Sequence, residues 1–106
     1  MNRVMPLKDV MEFQKHINSG VGYILITDDG GEPNKIHFIE LECGSLTKDA
    51  FEEKVERNTE RHGKYFYSER IKSLVECAKK EMPNTSVRLC KNCLRKIRSE
   101  RLETSL

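Results

Sequence analysis

Four cysteines and three histidines are the residues of this chain best suited to metal chemistry. Two of the cysteines, Cys90 and Cys93, form a Cys-Lys-Asn-Cys motif. Such a turn places two sulfurs about one tetrahedral edge apart, which suits two of the four ligands of a zinc ion with Zn–S near ~2.3 Å. In a reducing compartment the motif indicates metal binding or redox chemistry rather than a structural disulfide. It therefore predicts half of a zinc site.

The segment 35–43 can supply the other half. Read as an extended strand, it carries His37 and Cys43 on one side, because strand side chains repeat every two residues. A bend near residues 42–44 would bring Cys43 round toward His37. The sequence therefore predicts one structural Zn²⁺ in a closed site with no open coordination position, whose ligands are His37, Cys43, Cys90 and Cys93. Iron also suits this donor set, and the sequence leaves the choice of metal open.

Other residues compete for these positions. The rival histidines are His16, on the first predicted helix, and His62, beside a glycine. Cys77 could replace His37 in an all-cysteine site, although it lies about 100° from the apolar stripe of its predicted helix, which favours a thiol packed at the edge of the core. A redox role for the Cys-x-x-Cys pair would need a thioredoxin-like βαβ order, whose strong upstream strand is missing.

Length and composition limit the class of protein. The chain has 106 residues, 37% of them hydrophobic and 34% charged, with a mean hydropathy of -0.65. These values predict one domain with a thin core that a bound metal would stabilise. We read residues 1–106 as a single zinc-binding domain with a core at about 21–98. No apolar run is long enough for a signal peptide or a membrane helix, so we expect a soluble, cytoplasmic protein.

Hydrophobic periodicity predicts an α+β fold in which two to four helices pack on a short β-sheet, a hairpin plus one or two short strands. A first helix begins near Pro6 and ends at Gly20. The segments 21–27 and 35–41 form the hairpin, joined by turn residues. A charged, mostly exposed helix over 47–61, capped by Ser45 or Thr47, is interpreted as part of a helical insertion at 45–62.

The C-terminal half repeats the alternation of strand and helix. An aromatic strand at 64–67 precedes a helix that Ser68 caps. Its apolar stripe must face the core; its members are Ile71, Leu74, Val75, Ala78 and Met82. A strand at 85–89 leads into the Cys-x-x-Cys turn and a final basic helix, with Leu94 and Ile97 on one face.

The two segments KYFYSERIKSLVECAKK and VRLCKNC resemble the metal-binding domain of the Ada DNA-methylphosphotriester repair protein. More loosely, the chain resembles small phage and bacterial domains with an upstream His/Cys pair. The resemblance covers about residues 36–98, with 45–62 as extra length, and implies a single zinc. In the family the first cysteine ligand accepts the methyl group, and His37 holds that position here. An imidazole nitrogen bound to zinc has no lone pair left for methyl transfer, so we do not expect the repair reaction.

The charge distribution suggests a partner. Between residues 88 and 101 six basic residues surround the Cys-x-x-Cys motif against one glutamate, whereas residues 28–60 are acidic. We predict a non-catalytic module that contacts nucleic acid phosphates, with these candidate residues: Arg88, Lys91, Arg95, Lys96, Arg98 and Arg101. DNA and RNA remain equal candidates. The alternative is a small regulatory protein, of a kind that phages also encode, which binds a protein partner through its acidic helix or the edge formed by Leu94, Ile97 and Leu102. A metalloenzyme would need an open metal site and a general base, and is not expected.

Overall fold

A five-stranded mixed sheet forms the centre of the computed structural model of this chain, which describes residues 4–28, 34–57, 63–81 and 86–104. The strand order is β1-β4-β2-β3-β5, and every neighbouring pair is antiparallel except β3 and β5. The strands are β1 (Met5–Leu7), β2 (Tyr23–Asp28), β3 (Asn34–Phe38), β4 (Gly63–Ser68) and β5 (Val87–Leu89). The predicted α+β class and the β2–β3 hairpin are confirmed.

Helices connect and cover these strands. They are α1 (Val10–Ser19), α2 (Lys48–Phe51), α3 (Ile71–Glu81) and α4 (Lys91–Thr104). A 3-10 turn (Ile39–Leu41) follows β3, and a π-helical segment (Glu52–Arg57) continues α2. Within the described ranges, no helix is both long and apolar enough to cross a membrane.

The chain begins with an edge strand where the sequence predicts a helix from Pro6. In β1, Pro6 lies opposite Phe66 of β4, and none of the described strands pairs with the other side of β1. An edge strand tolerates a proline because only one side of it needs ladder hydrogen bonds. Helix α1 begins instead after Asp9, whose carboxylate accepts the main-chain N–H of Glu12 at 2.9 Å. It ends at Gly20, in the left-handed conformation with φ 75°, as predicted.

The charged helix is confirmed over residues 48–57, and residues 58–62 lie outside the described ranges. Its cap is Thr47, whose hydroxyl accepts the N–H of Ala50 at 3.2 Å. The expectation of a mostly exposed helix fails at Phe51, which is completely buried. Because Phe51 belongs to the hydrophobic core, this segment contributes to folding the domain.

Each face of the sheet packs on its own hydrophobic cluster. Successive residues of a strand point to opposite faces, so Ile24 and Leu25 fall into different clusters. The first cluster lies under α1 and α2; its buried members are Leu7, Phe13, Ile24, Ile39, Phe51, Tyr65 and Tyr67. The second lies under α3 and contains the predicted apolar stripe, apart from Met82, which lies outside the described ranges. Ser68 Oγ accepts the N–H of Arg70, just before α3 begins.

Candidate metal centre

Four buried side chains that can ligate a metal meet at one end of the sheet. They are His37, Cys43, Cys90 and Cys93, each no more than 5% exposed. One ligand atom from each lies within 4.8 Å of every other. The three cysteines are free thiols rather than disulfides. The structure therefore brings together the four residues that the sequence selects, in an arrangement that could hold a metal ion.

The spacing of the ligand atoms matches a tetrahedral centre. Cys43 Sγ lies 3.7 Å from Cys90 Sγ and 3.4 Å from His37 Nδ1. With Zn–S near ~2.3 Å and Zn–N near ~2.05 Å, a tetrahedron has S···S edges of about 3.8 Å and S···N edges of about 3.6 Å. A disulfide would require about 2.05 Å between the sulfurs. These two edges fit a tetrahedral metal site and exclude a disulfide, and the other ligand atoms lie within 4.8 Å of one another.

The parallel pairing of β3 with β5 places two of the ligands side by side. Ile36 is paired with Leu89, and the N–H of Cys90 donates to the carbonyl of Ile36 at 2.9 Å. Continuing the register by one residue sets Cys90 beside His37 on the same face of the sheet. The sequence analysis identified both ligands but not this pairing, because parallel partners are set by the topology of the whole sheet.

A tight turn delivers Cys43. The prediction of an extended strand as far as Cys43 is wrong, since β3 ends at Phe38 and the chain folds into the 3-10 turn. The N–H of Ile39 donates to the carbonyl of Gly22, and Ile39 is buried in the core, so the chain turns inward there. Glu42 then adopts a left-handed conformation with φ 51°. The bend expected at residues 42–44 is present and carries Cys43 back to His37.

The N-terminus of α4 holds Cys90. Cys90 directly precedes this 14-residue helix, where main-chain N–H groups are free to bind an anion. Burial alone would raise the pKa of the Cys90 thiol, but the N–H groups of Cys93 and Asn92 and the side chains of Cys43 and Ser45 outweigh it and lower the pKa below its ordinary value. A Cys-x-x-Cys motif that begins a helix therefore favours the thiolate that binds a metal.

Cys93 lies one helical turn further on, deeper in the protein. Its sulfur accepts the main-chain N–H of Phe38 at 3.3 Å. Burial, partly opposed by the Phe38 N–H and aided by the neighbouring Cys43 and Cys90, raises the pKa of the Cys93 thiol to about 12. Binding a cation must displace that proton, so metal affinity should increase with pH. Apolar side chains pack against the three cysteines; they are Phe38, Leu41 and Leu46.

The rival ligands lie elsewhere. His16 stacks on Tyr67 with ring centroids 3.9 Å apart, outside the cluster. Cys77 packs at the margin of the α3 cluster with Ile36, whereas His37, the next residue in β3, points to the opposite face. The interpretation of Cys77 as a boundary-packed thiol is confirmed. His62 lies outside the described residues.

The six predicted phosphate-binding residues divide into three groups. Arg88, Lys91 and Arg95 are exposed. Lys96 is also exposed, but its ammonium donates to the carbonyls of Leu41 and, at 3.2 Å, Glu42. It therefore helps to hold the turn that carries Cys43, a role that the sequence analysis missed. The side chains of Arg98 and Arg101 lie outside the described part of α4.

A cavity of about 420 Å³ lies beside the metal centre, between the end of α1 and the turn after β3. Its lining residues are Ile17, Asn18, Gly20, Ile39, Glu40, Glu42, Cys43 and Leu46. Of the four candidate ligands, Cys43 is the one that borders this cavity. A small molecule in solution can thus approach the centre from the Cys43 side.

Comparison with protein-family models, curated proteins and solved structures found no match to this chain. We therefore infer the function from the geometry of the candidate centre and from the surface around it.

Proposed function

We propose that this chain is a non-catalytic module built around one structural Zn²⁺, and that it contacts nucleic acid through the basic surface beside the metal. The zinc site is supported by four buried residues whose ligand atoms lie within 4.8 Å of one another. Three thiolates and one imidazole complete a tetrahedral zinc, so no position is left for a substrate or a reactive water.

The fold gives such a zinc ion a structural task. Two ligands belong to β3 and the turn after it, and two belong to the start of α4. Zinc bound to all four would fasten α4 to the sheet. In zinc-finger peptides structural zinc contributes an apparent ~10–16 kcal/mol at neutral pH, which is large beside the typical stability of a small domain.

Elemental analysis of the purified chain tests the metal. We expect about one zinc per chain, and iron would appear in the same measurement. Cys90→Ser should lose the metal and lower the melting temperature. Cys77→Ser, which removes a thiol outside the site, should keep the metal and the melting temperature of the parent. A folded parent protein without metal, whose melting temperature does not change when zinc is added, would refute the structural site.

Exposed cations near the centre support nucleic acid contact. Arg88 lies opposite Lys35 in the β3–β5 pair, and Lys91 and Arg95 extend from the first turns of α4. Zn²⁺ with three thiolates adds one negative charge to the formal net charge of +2, leaving +1. Attraction to phosphates must therefore come from this local surface rather than from the protein as a whole.

Titration with labelled duplex DNA, single-stranded DNA and RNA at several salt concentrations tests this contact. We expect binding at low salt that weakens steeply as salt rises, and the triple variant R88A/K91A/R95A should weaken it at least tenfold. The control K72A/K79A/K80A removes three exposed charges from α3. Equal binding by both triple variants would rule out the surface, and a native pull-down that recovers a protein without nucleic acid would favour the regulatory alternative.

A further inference from the structure

The three sulfurs of the candidate centre differ in what surrounds them. Cys90 directly precedes α4, whose first main-chain N–H groups have no partner within the helix, and Cys93 receives the N–H of Phe38 at 3.3 Å. When the sulfur is already held as a thiolate, such N–H groups withdraw electron density from it and lower its intrinsic nucleophilicity. The described contacts of Cys43 Sγ are with other side chains of the centre, His37 Nδ1 at 3.4 Å and Cys90 Sγ at 3.7 Å.

A small oxidant can also approach the centre from the Cys43 side, although Cys43 and Cys90 are equally exposed, at 5%. Cys43 borders the cavity of about 420 Å³, whereas Cys93 is completely buried behind it. Hydrogen peroxide is far smaller than this cavity. Among the described contacts, the cysteine that borders the cavity is thus the one whose sulfur has no main-chain N–H donor.

From this combination we infer that Cys43 is a site of oxidation by hydroperoxides, with Cys90 as the thiol that converts the first product into a disulfide. The inference rests on the proposed zinc site, since the metal holds both sulfurs as thiolates. Hydrogen peroxide is the co-reactant.

The chemistry takes two steps. The Cys43 thiolate attacks one oxygen of hydrogen peroxide, so that an S–O bond forms, the O–O bond breaks and hydroxide leaves, giving a sulfenic acid. The Cys90 thiolate then attacks the Cys43 sulfur, so that an S–S bond forms, the S–O bond breaks and a second hydroxide leaves. The two thiolates lose two electrons and the peroxide gains them. The sulfurs need to close only from 3.7 Å to about 2.05 Å.

The disulfide removes two of the four zinc ligands together. His37 and Cys93 alone cannot hold a tetrahedral zinc, so the ion leaves. Reduction of the disulfide restores both thiolates, and zinc can bind again. Oxidation at Cys43 therefore makes the attachment of α4 reversible.

Zinc-loaded full-length Cys77→Ser protein is the appropriate sample, because the fourth thiol is then absent. Hydrogen peroxide is added with a zinc-binding dye, and tryptic peptides are mapped without reduction. Trypsin separates the three cysteines, since it cuts after Lys35, Arg88, Lys91 and Arg95. We expect zinc release and a disulfide between peptides 36–48 and 89–91. A link between 89–91 and 92–95, or oxidation without zinc release, would overturn the inference.

A ligand-preserving variant isolates the reactive sulfur. In this Cys77→Ser background, Cys43→His retains a zinc ligand but removes the thiol, and we expect it to release zinc at least tenfold more slowly. Cys93→His, which keeps Cys43 and Cys90, should release zinc as fast as its parent. If the untreated protein holds no metal, the zinc site itself has failed; peptide mapping of the metal-free protein then still decides whether Cys43 and Cys90 pair on oxidation.

Discussion

The ring of Phe13 in α1 stacks on the ring of Phe51 in α2, with centroids 4.8 Å apart and an angle of 17° between their planes. Tyr65 of β4 meets both rings edge-on, at 5.7 Å and 4.8 Å. Both phenylalanines are almost completely buried. The charged segment that reads as an exposed insertion is thus joined to the N-terminal helix and the sheet through one aromatic cluster.

Phe51→Ala should lower the free energy of unfolding by about 3–5 kcal/mol, because it removes a buried ring and leaves a cavity between two aromatic neighbours. Lys48→Ala in the same helix removes an exposed side chain that forms an ion pair with Glu52 at 3.9 Å. This change should alter the free energy of unfolding by less than about 0.5 kcal/mol. Urea denaturation of the zinc-loaded proteins measures both. Equal losses in the free energy of unfolding for the two variants would contradict the role of Phe51 in the core.

Gly22→Ala should also destabilise the fold. Gly22 has φ 100°, and a Cβ built there would lie 2.6 Å from the ring of Tyr67, so both backbone and packing oppose any side chain. Gly44 offers a matched control, since a Cβ there meets nothing within 4 Å. We expect Gly22→Ala to cost at least ~1–2 kcal/mol and Gly44→Ala to have little effect. Identical melting temperatures would show that the Tyr67 ring moves aside freely.

Lys96→Met keeps the aliphatic stem but removes the ammonium that donates to the carbonyls of Leu41 and Glu42. Because this contact is exposed, we expect a loss of only about 1 kcal/mol in the free energy of unfolding. Transfer of zinc to a chelator should become faster, since the turn carrying Cys43 is less restrained. Arg95→Met is the control for a lost exposed charge. If both variants lose zinc at the parent rate, Lys96 does not restrain the turn.

Acidification should weaken the domain through His16. Burial beside Tyr67, aided by Lys15 and partly opposed by Glu12, lowers the pKa of His16 below its model-peptide value of 6.5. The unfolded chain then binds the proton more readily than the folded one, so stability is complete above pH 6.5 and decreases as the pH falls toward the folded pKa. His16→Phe keeps an aromatic ring on Tyr67 and should lose this part of the pH dependence. The measurement is the difference between parent and variant in the pH profile of unfolding.

The elements with a clear period could be predicted from the sequence. The hairpin, predicted from segments rich in β-branched and aromatic residues, and the apolar stripe on α3 are both found, and the Cys-x-x-Cys pair begins the final helix. The spacing of the Cys-x-x-Cys motif identifies two of the candidate ligands, whereas His37 and Cys43 were chosen over rival residues on an extended strand that a 3-10 turn in fact interrupts. The sequence did not reveal that β5 joins β3 in parallel, because that pairing depends on contacts between segments about 50 residues apart.

Short elements were the main errors. A three-residue strand around Pro6 carries too little pattern to be told from the first turn of a helix, although Asp9 and Glu12 give a capping signal for the true start of α1. The 3-10 turn at Ile39 was read as more strand because its apolar residues continue the alternation. Phe51 was assigned to an exposed helix because its neighbours are charged, and the aromatic partners that bury it lie on other elements.

The separation of the ligands along the chain has a consequence for folding kinetics. Cys43 and Cys90 are 47 residues apart, and Phe38 and Cys93 are 55 apart. Loops of this length close late, because their entropy must be offset by contacts already formed. We therefore expect the ion to be captured only after the sheet has assembled, so that zinc slows the unfolding rate far more than it speeds folding.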